Sequence, residues 1–117
     1  MNIIYKIVKK ALQEAEKSTH NYKLGAVIFK NGKIISRGYN KTNRGISPNY
    51  GHWAGSCHAE IAAIIAARTD LKGKSILVAR KGRLLARPCT SCRAAIKESG
   101  IKNIFYTDGV GVSKERA

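Results

Sequence analysis

Apolar residues recur at helical spacing at the start of the chain. The positions that repeat every three or four residues, with lysine and glutamate between them, are Ile3, Ile4, Ile7, Val8, Ala11, Leu12 and Ala15. This period gathers apolar side chains into one stripe along a helix. We therefore predict an amphipathic helix over about residues 2–17.

Two β-branched runs come next and are separated by a turn signal. LGAVIFK at 24–30 and KIISRGY at 33–39 flank Asn31-Gly32. Asn-Gly between two such runs is the strongest short-range signal for a β-hairpin. The following stretch at 40–57 is rich in Gly, Asn and Ser, and it predicts a long loop of the kind that usually carries function.

The second half of the chain alternates between strand and helix patterns. The predicted elements are a buried helix at 58–68, a buried strand at 75–80, a hairpin arm or irregular loop at 81–87, a short helix at 89–99 and a strand at 101–107. The order α-β-β-α-β-α-β predicts an α/β fold, a three-layer α/β/α sandwich whose mixed sheet combines an N-terminal antiparallel hairpin with a parallel βαβαβ half. We predict a single domain over 1–117 with a frayed or disordered tail over about 108–117.

Composition narrows the class of protein. The chain has 117 residues, and none of its apolar stretches approaches the roughly 18–20 residues of a membrane span. We find no signal-peptide pattern at its start. Three cysteines, two of them in Cys-x-x-Cys spacing, favour a metal or redox site in a cytosolic protein over a disulfide scaffold.

The charge balance adds a candidate partner. Lys and Arg number 22 against seven Asp and Glu, which gives +15, and no acid lies between Glu16 and Glu60 or between Asp70 and Glu98. Solubility alone needs a net charge of only about 2–8 in a small domain. A field of this size attracts polyanions, so nucleic acid is the favoured partner, with a small phosphorylated substrate or a merely solvated surface as alternatives.

Metal-ligand residues stand at the predicted starts of two helices. His58 and Glu60 are two apart and point about 200° away from each other on a helix, so they can converge only off its N-terminal end. Cys89 and Cys92 share one side of the other helix's first turn, in the spacing that holds one tetrahedral zinc ion. With His58 as the third ligand, the fourth position stays open, and Glu60 is free to move protons.

Three other interpretations of these residues stay open at this point. Cys57 or His52 could close a four-ligand structural zinc site. The Cys-x-x-Cys pair could be a thioredoxin-like redox motif, which would leave His58 and Glu60 unexplained. The spacing could also arise by chance on an unrelated fold.

His58-Ala59-Glu60 together with Pro88-Cys89-Thr90-Ser91-Cys92 resembles the zinc-dependent cytidine and deoxycytidylate deaminase superfamily, over about residues 3–107. That superfamily includes nucleotide deaminases, tRNA adenosine deaminases and polynucleotide cytosine deaminases, and this chain is closest in type to small single-domain members of the last group. The resemblance implies a cytidine deaminase-like fold, a Zn²⁺ cofactor and hydrolytic conversion of cytosine to uracil. Glu60 would protonate N3 and then the departing amine.

The resemblance also implies contacts to the substrate. The backbone N–H of Ala59 would hold the pyrimidine carbonyl, and the carbonyl of Arg87 would accept from the exocyclic amine. Asn40 matches a family asparagine that contacts the sugar and the pocket wall, although a turn role for Asn40 is the alternative.

A polynucleotide substrate needs a basic channel and aromatic platforms for its bases. The candidate platforms are His20, His52, Trp53 and Tyr106, whose alternatives are a solvated imidazole for His20, loop packing for Trp53 and a core position for Tyr106. We predict deamination of cytosine in single-stranded DNA, in the cytoplasm of a bacterial or phage-infected cell. The alternatives are a deaminase of free dCMP or cytidine, an enzyme resembling tRNA adenosine deaminase, and a non-catalytic zinc-containing nucleic-acid-binding module.

Overall fold

A computed structural model describes residues 2–19, 22–42 and 56–117. The helices are α1 (Asn2–Ala15), α2 (Ala59–Ala67) and α3 (Thr90–Glu98), and the strands are β1 (Leu24–Lys30), β2 (Lys33–Tyr39), β3 (Lys41–Thr42), β4 (Ser56–Cys57), β5 (Ser75–Arg80), β6 (Asn103–Thr107) and β7 (Val112–Arg116). Predicted bounds for β1, β2 and β5 are confirmed. α1 ends two residues earlier than predicted, and α2 and α3 are each shorter than predicted by one residue at both ends. The 81–87 segment is a short 3-10 turn over Lys81–Arg83 followed by irregular chain.

Five strands form one mixed sheet in the order β2-β1-β5-β6-β7. β1 pairs antiparallel with both β2 and β5, β5 pairs parallel with β6, and β6 pairs antiparallel with β7. The predicted α/β fold with a mixed sheet is confirmed. β2 and β5 run in the same direction, but β1 separates them, so the βαβαβ half contributes β5 and β6 as the parallel neighbours of this sheet.

Helices cover both faces of the sheet. Val27 and Leu77 pack with α1 on one face, whereas Ile28 and Val78 pack with α2 and α3 on the other. A strand buried on both faces needs apolar residues at consecutive positions, which explains the continuous apolar runs in β1 and β5. The result is the predicted three-layer arrangement. Among the described residues, no helix has both the length and the apolar character needed to cross a membrane.

Two glycines allow the helices to lie directly on the strands. A Cβ at Gly25 would lie 1.9 Å from the carbonyl oxygen of Ala11 in α1. A Cβ at Gly38 would lie 2.5 Å from the amide nitrogen of Ala63 in α2. The Ser36 hydroxyl also donates to the carbonyl oxygen of Ala63 at 2.8 Å. α2, which carries the candidate chemistry at its start, is therefore fixed against β2 by backbone proximity and a hydrogen bond.

The prediction of a frayed or disordered tail over 108–117 is wrong. Residues 112–116 form β7, which pairs along the edge of β6. Asp108 closes the connecting turn, since its Oδ1 accepts from the backbone N–H of Val110 at 3.0 Å and of Gly111 at 2.7 Å. The open edge of β6 supplies the hydrogen bonds that order this polar segment, and no pattern within the segment itself reveals that edge.

Candidate active site

Two helix starts bring three metal-ligand side chains together. His58 is the N-cap residue of α2, Cys89 is the N-cap residue of α3, and Cys92 lies in the first turn of α3. One ligand atom from each of the three residues lies within 4.8 Å of the other two. His58 Nδ1 and Cys92 Sγ are 3.1 Å apart. The three donors predicted from the sequence therefore meet at one point.

This donor set fits zinc. One imidazole nitrogen and two thiol sulfurs are typical zinc ligands, with bonds of about 2.0–2.3 Å, so donors around one ion stand about 3.3–3.8 Å apart. The observed separations of up to 4.8 Å need only small side-chain adjustments to meet that geometry. The side chain of Cys57 and all of His52, the alternative fourth ligands, lie outside the described residues.

The positive ends of two helix dipoles meet at this centre. The first backbone N–H groups of a helix have no intrahelical partner and carry partial positive charge, which favours a thiolate over a thiol. Packing keeps the two helix starts adjacent, because Ile61 of α2 contacts the buried Cys92 of α3 in one apolar cluster. The fold therefore lowers the cost of assembling two thiolates in one place.

Glu60 is buried beside the three donors. Glu60 is only 4% exposed, and within the described part of the chain its Oε1 has no hydrogen-bond partner. Burial raises the pKa of Glu60 to about 7, against the lowering effect of a hydrogen bond from its own backbone N–H. A buried carboxylate with an unused acceptor atom is costly to folding and is typical of a group that serves a reaction.

A cavity of about 240 Å³ opens onto these groups. Its lining residues come from the start of β1, the end of β5, the segment before α3 and the two helix starts: Tyr22, Leu24, His58, Glu60, Arg80, Leu85, Ala86, Arg87 and Cys89. Leu24 at the start of β1 and Arg80 at the end of β5 both contribute to the lining, so the cavity lies at the carboxyl end of β5, where open α/β sheets commonly bind ligands.

Asn40 supports the cavity wall from behind. Its Oδ1 accepts from the backbone N–H of Leu24 at 2.9 Å, and its Nδ2 donates to the carbonyl oxygen of Tyr22 at 2.6 Å. Asn40 is buried and does not line the cavity formed by the described residues. The Asn40 side-chain amide therefore holds the start of β1, which does line the cavity. Ala59, the first residue of α2, is buried next to Glu60, with its backbone N–H in the helix turn that lacks intrahelical acceptors.

Glu115 of β7 joins residues on both sides of the Cys-x-x-Cys turn. Arg87 Nε donates to Glu115 Oε2 at 2.7 Å, and Arg93 also donates to this carboxylate. The hydroxyl of Tyr106 donates to the same carboxylate at 2.8 Å. These contacts lower the pKa of Glu115 to about 2. Sequence reasoning missed Glu115, because the strand that carries it was assigned to the tail.

Tyr106 lies in the core. It is 8% exposed, packs in the same apolar cluster as Ile104, and is absent from the lining of the cavity among the described residues. Its ring is packed and its hydroxyl is bound, so the core alternative describes its position better than a stacking platform does. His20 and Trp53 fall outside the described residues, as does His52, and their roles stay predictions.

Sequence reasoning also missed Tyr22. Its side chain is 63% exposed at the cavity, and its ring lies beneath the guanidinium of Arg80. The pair forms because β1 and β5 are neighbours, with Leu24 opposite Arg80 in the register. The signal that could have identified Tyr22 is its position as an aromatic residue just before a predicted strand.

Comparison with known proteins places the chain in one family. Residues 1–108 match the model for the cytidine and deoxycytidylate deaminase zinc-binding region. The chain is 36% identical over 114 residues to a tRNA-specific adenosine deaminase of Rickettsia bellii, covering 94% of this chain and 72% of that protein. It is 33% identical over 88 residues to an uncharacterised deaminase of Aliivibrio fischeri, of whose length it spans 56%.

Solved structures share the fold. The dCMP deaminase of the cyanophage S-TIM5 in apo form superposes with a TM-score of 0.72 at 27% identity, covering 93% of this chain and 87% of that chain. A cytidine deaminase from Burkholderia pseudomallei superposes with a TM-score of 0.73 at 24% identity, covering 96% and 91%. The match over residues 1–108 confirms the predicted superfamily, and together with the cluster of His58, Cys89 and Cys92 it confirms the predicted zinc cofactor.

Proposed function

Because the chain belongs to the cytidine and deoxycytidylate deaminase zinc-binding family, we propose that it hydrolyses cytosine to uracil and ammonia in single-stranded DNA. The observation that carries this proposal is the buried Glu60, whose Oε1 has no partner among the described residues, beside the donors His58, Cys89 and Cys92. A structural zinc site would have no use for such a carboxylate, which destabilises the fold by its burial.

The residues around the metal centre have two different roles, zinc binding and proton transfer. His58, Cys89 and Cys92 would hold the zinc ion, and zinc bound there supplies a Lewis acid that makes water a better nucleophile at neutral pH. Glu60 accepts one proton from the attacking water and delivers it to N3 of cytosine. It then takes the second proton of that water from the new hydroxyl group at C4 and transfers it to the departing amine, so that the C4–N bond breaks and ammonia leaves. A carboxyl group with a raised pKa suits this work, because it must both accept and donate within one cycle.

The start of α2 and the segment before α3 would orient the base. The N–H of Ala59 lies in the first turn of α2, where it is available to the pyrimidine carbonyl. Arg87 precedes the metal-binding turn and lines the cavity, which supports our assignment of its carbonyl as the acceptor for the exocyclic amine. Donors and acceptors fixed on the backbone hold the base without a conformational search.

Charge supports a polynucleotide as the substrate. The chain carries +15, and the cavity is lined by two arginines and an exposed tyrosine, which suit phosphates and bases. The two cysteine donors, which carry reduced thiols, fit the reducing cytoplasm of a bacterial or phage-infected cell. A second candidate function is deamination of free dCMP, favoured by the structural match to the S-TIM5 dCMP deaminase.

One assay tests these substrates side by side. The zinc-loaded protein is incubated with an oligodeoxynucleotide containing a single cytosine, with dCMP, with deoxycytidine and with a tRNA anticodon stem-loop containing adenosine. Uracil and inosine are quantified by mass spectrometry at low and high salt. Uracil formation on the oligonucleotide that falls steeply with salt supports our proposal. Turnover of dCMP alone supports the second candidate, and inosine formation indicates an activity like that of the Rickettsia relative.

A binding assay distinguishes the non-catalytic alternative. Glu60→Gln keeps the size of the side chain but removes its basicity, so it should bind the oligonucleotide and zinc while losing turnover. Wild-type protein that binds the oligonucleotide tightly, forms no product from any substrate and matches Glu60→Gln in every readout would be a binding module, and the deaminase proposal would be wrong.

A further inference from the structure

The two arginines that line the cavity differ in how their charge is balanced. Arg87 is paired with Glu115, with Nε and Oε2 2.7 Å apart. The guanidinium of Arg80 has no carboxylate oxygen within 4.0 Å in the described part of the chain. Arg80 therefore presents a positive charge at the cavity that no described acid compensates.

The ring of Tyr22 orders this charge. The Arg80 guanidinium carbon lies 4.6 Å from the centre of the Tyr22 ring. A guanidinium in contact with an aromatic face keeps the N–H groups along its edge available, in the fork arrangement that matches phosphate oxygens. Tyr22 is 63% exposed, so most of its surface also remains available for contact.

The backbone beneath the pair is fixed. The carbonyl oxygen of Tyr22 accepts from Asn40 Nδ2 at 2.6 Å, and the backbone N–H of Arg80 donates to Thr107 Oγ1 at 3.2 Å. Neighbouring cations have other partners, because Lys81 Nζ lies 3.8 Å from Glu16 and Lys23 Nζ donates to the carbonyl oxygen of Ser18. Arg80 is thus held at the cavity while nearby lysines are engaged elsewhere.

We propose that Tyr22 and Arg80 form a phosphate-binding subsite at the mouth of the cavity. This inference rests on the proposed function, since the phosphate belongs to the nucleotide whose cytosine is deaminated. The Arg80 guanidinium donates to the phosphate oxygens while Tyr22 holds the guanidinium plane and covers one side of the sugar. The phosphate is a phosphodiester in single-stranded DNA or a phosphomonoester in free dCMP, and both chemistries suit the same fork of donors.

Kinetics on matched substrates test the subsite. Arg80→Ala should lower kcat/KM about tenfold or more for dCMP or for the single-cytosine oligonucleotide, because a charge-assisted hydrogen bond is lost. The same variant should change kcat/KM for deoxycytidine, which has no phosphate, by less than about twofold. A loss confined to the oligonucleotide identifies the phosphodiester as the source, and a loss on dCMP identifies the monoester.

Arg116→Ala is the matched control. It removes the same charge from β7 at the Ser75 end of the sheet, opposite to the end that carries Arg80. It should leave all three rates unchanged within about twofold. Equal losses on deoxycytidine and on the phosphorylated substrates in Arg80→Ala, or no loss on any of them, would overturn the subsite.

Variants of Tyr22 test the contact between its ring and the Arg80 guanidinium. Tyr22→Phe keeps the ring and should retain the wild-type preference for phosphorylated substrates, whereas Tyr22→Ala should lower it about two- to fivefold through loss of the cation–π contact. Arg80→Lys keeps the charge but not the planar fork, so its preference should lie between those of wild type and Arg80→Ala. Identical behaviour of Tyr22→Phe and Tyr22→Ala would contradict the role of the ring.

Binding separates failure of the subsite from failure of the proposed function. Fluorescence anisotropy of a labelled oligonucleotide measures its binding constant K to zinc-loaded Glu60→Gln protein at several salt concentrations. A plot of log K against log salt concentration then gives a slope. Adding Arg80→Ala should reduce the magnitude of that slope by about 0.7, the value for one lost phosphate contact with a single strand, whereas Arg116→Ala should leave it unchanged. No turnover by wild type on any substrate refutes the proposed function, whereas an unchanged slope and affinity together with an unchanged kcat/KM on dCMP in Arg80→Ala refutes the subsite.

Discussion

Two carboxylates that flank the metal centre, Glu60 and Glu115, have opposite environments. Glu60 is buried in the lining of the cavity, with Oε1 unpartnered among the described residues, and burial raises its pKa to about 7. Glu115 lies on the edge strand β7, where Arg87, Arg93 and Tyr106 donate to it and lower its pKa to about 2. The same functional group therefore has a pKa close to neutral at one place, which suits the proton transfer we propose, and stays ionised down to about pH 2 at the other.

This contrast assigns different work to the two residues. Glu60 is close to the cavity and has an acceptor atom to spare, so it is suited to contact a reacting molecule. The carboxylate oxygens of Glu115 accept from Arg87, which precedes the metal-binding turn, and from Arg93, which follows Cys92. It is therefore suited to hold the turn in place, and the two roles should separate under mutation.

The largest effect is expected from Glu60→Gln. The amide keeps the side-chain volume but cannot shuttle protons, so kcat should fall about 10²–10⁴-fold. Zinc content, measured by inductively coupled plasma mass spectrometry, should not change. Glu98→Gln, an exposed substitution on α3, is the control and should retain full turnover. A Glu60→Gln enzyme with kcat within tenfold of wild type would contradict the proposed role.

Glu115→Ala should weaken zinc binding instead. Without the carboxylate, the two arginines beside the Cys-x-x-Cys turn lose their shared partner, and loss of such a supporting contact typically costs about 10–100-fold in metal affinity. Competition with a chromogenic chelator measures the zinc Kd. Saturating zinc should restore most of the turnover, which it cannot do for Glu60→Gln. Glu98→Ala serves as the control, and a zinc Kd within twofold of wild type in Glu115→Ala would remove the distinction between the two carboxylates.

Gly38→Ala should disturb the Glu60 side without touching Glu115. The added Cβ would lie 2.5 Å from the amide nitrogen of Ala63 and 2.8 Å from the carbonyl oxygen of Ala59, so α2 must move. Overpacking of this kind lowers the free energy of unfolding by about 1–3 kcal/mol. Urea denaturation measures the change, and Gly111→Ala, whose Cβ meets nothing within 4 Å, is the control. Equal unfolding free energies for the two variants would argue against close packing of α2 on β2.

The smallest expected effect is on the pH dependence of stability. The pKa of Glu115 is about 2 in the folded state against an ordinary 4.5, so its stabilising contribution is fully present above about pH 4.5 and is lost as the pH falls toward 2. Glu60 has the opposite sign in zinc-free protein. Its pKa is raised from 4.5 to about 7, so its contribution is present below pH 4.5 and is lost as the pH rises through about 7.

Urea midpoints of the zinc-free protein across this pH range measure both contributions. Glu115→Gln should flatten the decline in stability on the acid side of pH 4.5, and Glu60→Gln should flatten the decline between pH 4.5 and 7. If the urea midpoints of both variants follow the same pH dependence as those of wild type, neither carboxylate is coupled to folding in the way its environment indicates.

Local signals account for the parts of the fold and the site that the sequence predicts. Asn31-Gly32 determines the β1–β2 turn, with both residues at positive φ, and continuous apolar runs reveal strands buried on both faces. Cys89 and Cys92 are recognisable as a pair because three residues make nearly one helical turn. His58 is recognisable as their third partner because its motif and the Cys89–Cys92 motif together resemble the deaminase superfamily.

Features that depend on contacts between distant segments escape sequence reasoning. β7 forms because β6 offers an open edge, and the polar stretch at 112–116 does not indicate this by itself. Tyr22 meets Arg80 only because β1 and β5 are neighbours. Tyr106 looks like an exposed aromatic at the end of a strand until the cluster around Ile104 and the contact to Glu115 bury it.

The position of β7 has a consequence for proteolytic trimming. Cleavage between α3 and Glu115 would remove that carboxylate while leaving the three metal donors in the chain. The trimmed protein would keep every zinc donor but lose the anion shared by Arg87 and Arg93, and it would also uncover the edge of β6. A carboxypeptidase would therefore weaken zinc retention before it reached any ligand.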